Sequence, residues 1–214
     1  MKDNNMKQTV KSRFELAELS SMGLSAPVEY IHGRADKPED YSIAQHLPRL
    51  KQYVDSCSLI PYFNLGSSQG DIYMQRDWLI PKSETNPAAR VHVIHRSDLD
   101  RASHNHPWDH VSVILSNGYF ELMPSPTGED ELDALPVSLR DSARIWEPML
   151  AVWRGAGDVI CRRNTDRHKL IVPGEEKPVS LFMTAKKSTE WGFFTPDGFV
   201  LHTDYLNTDV GEIQ

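Results

Sequence analysis

Histidines concentrate in one short part of the sequence, and their spacing suits a metal ion. Four of the nine histidines fall between positions 95 and 110, where the chain reads His104-Asn-His106-Pro-Trp-Asp-His110. Residues two apart on a strand point to the same side, so His104 and His106 converge on one ion if this segment is extended. His168 opens a later apolar run and offers a third imidazole. Three neutral imidazoles suit Fe(II), Zn(II), Ni(II) or Cu(II); the alternative is a set of surface or core-edge histidines.

Three further polar residues are candidates for acid–base or supporting roles. His110 shares the strand parity of His106, so it is a candidate fourth ligand or catalytic general acid–base, with simple packing as the alternative. Glu121 follows a predicted turn and is a candidate ligand or catalytic base from the neighbouring strand; the alternative is a charged edge residue. Asp109 directly follows the paired motif and is a candidate acceptor for an imidazole N–H.

Substrate contacts are expected from residues flanking the same motifs. Arg96 and Arg163 are candidates because arginine offers a rigid fork that fits a carboxylate. Arg90 shares the parity of Arg96 and is an alternative for that role, and solvated surface positions are the alternative for all of them. Trp108 is a candidate substrate contact at the barrel mouth or, alternatively, a packing residue of its wall.

Short apolar runs separated by turn residues surround these motifs and must position them. Predicted strands span residues 72–80, 90–96, 111–115, 119–123, 151–153, 158–162, 169–172, 179–184 and 191–194. Asn117-Gly118 is a dipeptide that favours a tight hairpin between two of them. Many short strands with regular turns indicate an all-β barrel or sandwich. Residues 124–148 are rich in Pro, Asp and Glu and predict a long surface excursion.

The first 70 residues have a different pattern. Apolar spacing predicts a short helix between Thr9 and Met22 that stops at Gly23. Residues 26–36 are predicted to be loop or a short extended piece. Residues 39–57 have helical spacing, with Pro48 expected to kink or restart the helix. The predicted organisation is a helical N-terminal extension over 1–70, a barrel domain over 71–205 and a tail over 206–214.

Composition limits the possible partners. The 214 residues are 39% hydrophobic and 25% charged, with a formal net charge of −7, which is typical of a globular domain. An acidic balance argues against nucleic-acid binding, and the absence of an apolar run of about 18 residues argues against a membrane span. The N-terminus has no apolar signal region, so we expect a cytoplasmic protein. Nothing supports a disulfide between Cys57 and Cys161.

The paired histidine segments resemble the two motifs of the cupin superfamily. The first cupin motif has His-x-His followed by a glutamate and then a glycine, and here His104-x-His106 leads to Gly118 at the family's spacing. The second motif runs from a glycine to a histidine, and Gly157 and His168 keep its spacing. More closely, His-x-His-Pro-Trp-Asp and the ending Glu190-Trp-Gly-Phe-Phe-Thr-Pro look like small cupin proteins of bacteria and phages. The resemblance covers roughly residues 72–200.

Two departures from the family pattern matter. The usual glutamate ligand of cupins falls at Val111, which has no donor atom, so the resemblance implies a site of His104, His106 and His168 alone. Such a site is similar to that of thiol dioxygenases, which also have a histidine at the place of His110. The His-x-Tyr pair of those enzymes, whose tyrosine assists the chemistry, falls at Phe182-x-Thr184, which weakens an assignment as a cysteine dioxygenase.

The resemblance implies a mostly β protein, a double-stranded β-helix or jelly-roll cupin barrel with a partly helical extension. It implies a divalent metal, Fe(II) before Zn, Ni or Cu, and a dioxygenase-type reaction on a small polar molecule. The alternatives are a non-catalytic module that binds a small ligand or metal, such as a phage accessory protein, and an isomerase or epimerase acting on a sugar. Many cupins are dimers, so a homodimer is expected.

Overall fold

The computed structural model describes residues 12–62, 65–66, 72–83, 87–98 and 102–207. Within these ranges the chain forms short helices followed by a run of antiparallel strands. In chain order the strands are β1 (Tyr41–Ser42), β2 (Ile60–Pro61), β3 (Leu65–Gly66), β4 (Ile72–Ile80), β5 (Ala88–Ile94), β6 (Ser103–His104), β7 (His110–Ser116), β8 (Gly118–Pro124), β9 (Met149–Gly155), β10 (Asp158–Arg162), β11 (Lys169–Ile171), β12 (Val179–Thr184), β13 (Gly192–Thr195) and β14 (Gly198–Leu201). The helices are α1 (Leu16–Leu19), α2 (Ser25–Ile31), α3 (Leu47–Ser56), α4 (Val137–Ala143) and α5 (His202–Asn207).

The strand order is that of a jelly roll. One sheet runs β1-β10-β7-β12-β5-β4-β2, with β3 also paired to β4, and a second runs β11-β8-β9. A bridge between His104 and His168 attaches β6 to the second sheet, so β6-β11-β8-β9 stands opposite β5-β12-β7-β10. Except for β3-β4, β4-β5 and β8-β9, neighbouring strands in these two sheets are not consecutive in sequence, as in the double Greek key of this architecture. The predicted jelly-roll barrel is confirmed.

Alternation along the strands separates a cavity from an outer core. On β7, His110 and Ser112 line the cavity between the sheets, whereas Val111 and Val113 point outward into a hydrophobic cluster. The β7–β8 hairpin turns at Asn117, which has a φ of 56°, as the Asn-Gly pair predicts. On β7 the side chains that line the cavity therefore include polar ones, and those on the outer side are apolar.

The N-terminal extension covers the outer face of the large sheet. Leu19, Leu24 and Leu50 are fully buried in one cluster with Val111 and Leu181 of the barrel. Because this face is covered, the central strands β5, β7, β10 and β12 are buried on both sides. The extension thus packs on the barrel of its own chain.

Two predictions for the extension are corrected. The segment predicted as loop contains α2, whose Pro27 is tolerated because it lies in the first turn, where its missing N–H has no intrahelical partner. The helix predicted over 39–57 begins only at Leu47, with Pro48 in its first turn, and β1 precedes it. Gly23 ends the first helical segment in the left-handed region, at a φ of 80°, as predicted. Residues 1–11 and 208–214, with most of the predicted tail, lie outside the described residues.

The predicted surface excursion is partly a covering layer. Residues 124–148 include α4, and Leu132 and Leu135 are buried against Phe120 and Leu122 on the outer face of β8. The few apolar residues of the segment are spaced among acidic ones, and this hides the packing face in the sequence. No helix in the described part of the chain is both long and apolar enough to cross a membrane.

Candidate metal centre

The three predicted ligands lie together at one end of the cavity. One nitrogen of each of His104, His106 and His168 falls in a group whose members all lie within 4.8 Å of one another. His104 and His168 exchange two backbone hydrogen bonds, at 3.0 and 2.9 Å, so they stand directly opposite each other with side chains on the same face. The Nε2 atoms of His106 and His168 are 3.0 Å apart. Three imidazoles at this spacing are a donor set that fits one divalent cation.

A buried carboxylate orients His168. Oε1 of Glu121 lies 2.9 Å from Nδ1 of His168, and the Glu121 side chain is only 1% exposed. An ionised carboxylate only accepts hydrogen bonds, so Nδ1 of His168 donates. Its Nε2 then keeps a lone pair with which it can bind a cation together with the other two histidines. A carboxylate behind a metal-binding histidine fixes the ring orientation and raises the basicity of the ligand nitrogen.

Two arginines neutralise this carboxylate. Oε2 of Glu121 accepts hydrogen bonds from Nε of Arg154 at 2.9 Å and Nη2 of Arg162 at 2.6 Å, and Oε1 accepts one from Nε of Arg162 at 3.0 Å. Burial alone would raise the pKa of Glu121, but the hydrogen bond from His168 and the positive charges of Arg162 and Arg154 outweigh it. The pKa of Glu121 is therefore held well below its usual range.

The same arginines bind a carboxylate from the N-terminal extension. Asp40 Oδ1 lies 2.9 Å from Nη1 of Arg162, and its Oδ2 lies 2.9 Å from Nη2 of Arg154. Asp40 also accepts a hydrogen bond from the backbone N–H of Cys161 at 3.0 Å. Two buried cations thus face two carboxylates, and the extension takes part in the support behind His168.

Glu121 and Asp109 do not occupy their predicted roles. Both oxygens of Glu121 are engaged by His168, Arg154 and Arg162, so the geometry gives it a positioning role in place of the expected acid–base role. Asp109 accepts a hydrogen bond from the backbone N–H of Asn164 at 2.9 Å, and the carboxylate on an imidazole is Glu121. An acid at the inward position of an apolar strand was the sequence signal for this buried pairing.

His106 and His110 are held neutral. The pKa of His106 is well below 6.5, chiefly because the ring is buried and then because His110 and His168 lie beside it. Burial, followed by the neighbouring His168, lowers the pKa of His110 to about 3. The ring of His110 lies 4.5 Å from that of His106, centre to centre, and lines the cavity, but its nitrogens are outside the three-histidine group. His106 is thus in the form that binds metals.

The cavity beside the histidines is small and has largely apolar walls. Its volume is about 110 Å³. The apolar lining comes from both sheets and from the β13 region: Tyr73, Met74, Ile94, Ile160, Leu170, Phe182, Trp191 and Phe193. A water needs about 10–15 Å³ by this kind of measure, so the cavity holds a molecule of only several heavy atoms.

One of the three predicted substrate contacts lines this cavity. Trp108 does, whereas Arg163 is exposed and outside it. Arg96 lies beyond the end of β5 and over the ring of Tyr73, 5.6 Å from its centre, and does not line the cavity either. Arg90, the alternative by strand parity, does line it. The sequence predicted that Arg90 and Arg96 lie on one face of a strand, but β5 ends at Ile94, between the two arginines.

Comparisons with known proteins add little to this geometry. No protein-family model matches the chain, and a search of the curated proteins finds no relative. Among solved structures, oxalate decarboxylase from Bacillus subtilis at pH 4.6 is 14% identical over 62% of this chain and 29% of its own, with a TM-score of 0.39. The 11S globulin from Wrightia tinctoria is 16% identical over 64% of this chain and 35% of its own, with a TM-score of 0.45. This chain thus spans about a third of the chains it matches, and the fold assignment rests on the strand order instead.

Proposed function

We propose that this protein is a metal-binding cupin that holds one divalent cation, Fe(II), on His104, His106 and His168 and acts as an oxygenase on a small polar molecule. One observation carries the proposal: the three histidines line a cavity, and among the described residues no carboxylate or further histidine joins their group as a fourth ligand. Catalytic sites keep coordination positions open, whereas structural sites are closed by a fourth protein ligand.

The residues around the histidines suit this role. A cation held there supplies a Lewis acid and a template for substrate and O₂ in its open positions. Glu121 keeps the Nδ1 proton on His168, and the low pKa of His106 keeps its ring available as a ligand. The apolar walls exclude water from a molecule bound in the cavity. The choice of Fe(II) rests on the resemblance to three-histidine dioxygenases.

A non-catalytic binding module is the second candidate, and one observation favours it. Both oxygens of Glu121 are engaged by His168, Arg154 and Arg162, and the other acid–base group beside the three histidines, His110, is buried with its pKa lowered to about 3. General acid–base catalysis works best with a pKa near the operating pH. A module of this kind binds the same metal and ligand but turns nothing over.

Metal analysis of the untagged full-length protein tests the proposal. After reconstitution with Fe(II) we expect about one ion per chain, and loss of the ion in His106→Ala and His168→Ala. The exposed His32→Ala serves as the matched control and keeps the ion. Oxygen consumption with thiols and small acids then separates the oxygenase from the binding module. A wild-type protein that takes up no Fe(II) would overturn the metal site.

The homodimer and the cytoplasmic location stay predictions. Light scattering of the purified protein tests the first, and fractionation of cells tests the second.

A further inference from the structure

A buried cation without a counter-ion faces the cavity. The Arg90 side chain lines the cavity, and the residue is only 5% exposed. Its Nε is fully buried and has no hydrogen-bond partner, and no carboxylate in the described part of the chain forms an ion pair with it. Burial and then the charge of Arg76 lower the pKa of Arg90 only to about 10, so the guanidinium stays charged at neutral pH. A buried charge without a partner is costly, and proteins keep one where a ligand completes it.

Aromatic rings hold this guanidinium in place. Its Cζ lies 4.9 Å from the ring centre of Trp78, 5.1 Å from that of Trp108 and 5.1 Å from that of Phe182. Such contacts orient a cation on the faces of the rings but leave the hydrogen-bonding edge of the fork without an acceptor. The cage therefore positions Arg90 and does not use its N–H donors.

A second polar group in the same wall also has no partner. His92 lines the cavity two residues along β5, stacks on Phe182 at 4.6 Å, and its buried Nε2 makes no hydrogen bond. Burial and then the charge of Arg90 hold the pKa of His92 well below 6.5, so the ring is neutral. A neutral imidazole carries one N–H, which adds a donor beside the guanidinium.

No carboxylate among the described lining residues is left to balance Arg90. The one carboxylate among them is Glu121. That carboxylate is already bound by Arg154 and Arg162. A cation on the three histidines would add further positive charge, so the space between favours an anion.

The unpartnered arginine and the histidine cluster share two aromatic neighbours. The ring of Phe182 lies 5.1 Å from Cζ of Arg90 and 5.7 Å from the ring of His106. Trp108 lies 5.1 Å from Cζ of Arg90 and 6.4 Å from the ring of His106. An anion that binds Arg90 from within the cavity is therefore next to the three histidines.

We propose that Arg90, assisted by His92, binds the carboxylate of a small organic monoacid whose other end faces His104, His106 and His168. The placement of that other end rests on the proposed metal site, whereas the carboxylate subsite stands on Arg90 alone. A planar carboxylate matches the fork of one guanidinium, and the small apolar cavity suits a short carbon chain. A phosphate dianion is bulkier and calls for more donors than these two residues offer.

Nuclear magnetic resonance on the full chain tests the subsite directly. The Nε–H signal of Arg90, assigned by its loss in Arg90→Met, is followed during titration with butyrate, with the isosteric butyramide and with inorganic phosphate. We expect a saturable shift with butyrate only, in both the metal-free and the zinc-loaded protein. Butyrate affinity, read from other cavity signals, should fall about tenfold or more in Arg90→Met, since a charge-assisted pair is lost.

Matched variants separate a ligand site from a structural arginine. Arg163→Met, at an exposed position outside the cavity, should keep the affinity of the wild type, and Arg90→Lys should retain part of it. Without ligand, Arg90→Met should melt at the same temperature as the wild type or higher, because it removes a buried unpaired charge. A lower melting temperature with unchanged butyrate binding would overturn the proposal, as would equal binding of butyramide or preference for phosphate. Metal content is measured on the same samples, so failure of the subsite is distinct from failure of the metal site.

Discussion

Asp40 and Glu121 bind the same two guanidinium groups. Each carboxylate contacts both Arg154 and Arg162, and Glu121 in turn accepts the Nδ1 proton of His168. A residue of the N-terminal extension is thereby linked, through two arginines and one glutamate, to a ligand of the candidate metal centre. The extension covers the sheet and also completes the charge balance behind the site.

Glu121→Gln removes the negative charge between the arginines and His168. We expect metal affinity to fall by about 10–100-fold, since partners behind ligands typically have effects of this size. We also expect a loss of about 3–5 kcal/mol in the free energy of unfolding, because two buried cations lose a shared anion. Competition with a chelator and urea denaturation measure the two effects. The exposed Glu129→Gln is the control, and wild-type values for Glu121→Gln would contradict the positioning role.

Asp40→Asn tests the contribution of the extension. The Asp40 side chain is 27% exposed, so solvent weakens its ion pairs and the expected loss is smaller, about 1–2 kcal/mol. Asparagine still accepts the N–H of Cys161, which limits the change to the lost charge. Metal affinity should fall less than in Glu121→Gln. Urea denaturation and metal competition are measured for Asp40→Asn and for the exposed control Asp36→Asn. Equal values for the two variants would mean that Asp40 does not support the metal centre.

The sequence could identify the three histidines but not what supports them. Strand spacing was enough to pair His104 with His106, because those two lie close in sequence, and the cupin resemblance added His168, 62 residues from His106. The pairing of Glu121 with two arginines could not be predicted in this way, since Arg154 and Arg162 lie 33 and 41 residues from Glu121 in sequence. Asp40 and Arg162 are 122 residues apart. Contacts of that range depend on how strands pair in three dimensions, which periodicity does not report.

The strands were predicted better than the layers that cover them. The predicted strand over 72–80 matches β4, and the Asn117-Gly118 turn joins β7 to β8. Leu132 and Leu135 lie in an acidic segment whose composition predicted exposure, yet both are buried on β8. Composition averages over a segment, whereas burial depends on which few side chains face a partner surface.

Stability of the metal-free protein should fall on mild acidification. In an unfolded chain histidine has a pKa near 6.5, whereas burial lowers the pKa of His92 and His110 in the fold, that of His110 to about 3. Below pH 6.5 the unfolded chain binds protons that the fold does not, so the free energy of unfolding decreases as pH falls. Between pH 6.5 and 5 each such histidine contributes a slope of about 1 kcal/mol per pH unit. Urea denaturation across this range measures it, and an unchanged slope in His92→Leu would contradict the assignment.

Leu135→Ala tests whether residues 124–148 are part of the folded core. Leu135 is 2% exposed and packs with Leu132 and Met149 over β8, so truncation should cost about 3 kcal/mol. Val137→Ala, two residues away and 78% exposed, should change the free energy of unfolding by less than about 0.5 kcal/mol. If urea denaturation gave equal losses for the two variants, residues 124–148 would be a surface loop that does not contribute to the folded core.

Val111→Glu places an acid where the cupin pattern has its fourth ligand, and we expect no gain in metal binding. Val111 points away from the cavity into the core shared with the extension and is fully buried there. The new carboxylate would lie unpaired among apolar side chains, which should cost about 3 kcal/mol or more. Val137→Glu, at an exposed position, is the control for the added charge and should leave stability nearly unchanged. Metal competition and urea denaturation decide the matter: tighter metal binding in a stable Val111→Glu protein would mean that this side chain reaches the three histidines, contrary to the strand parity described above.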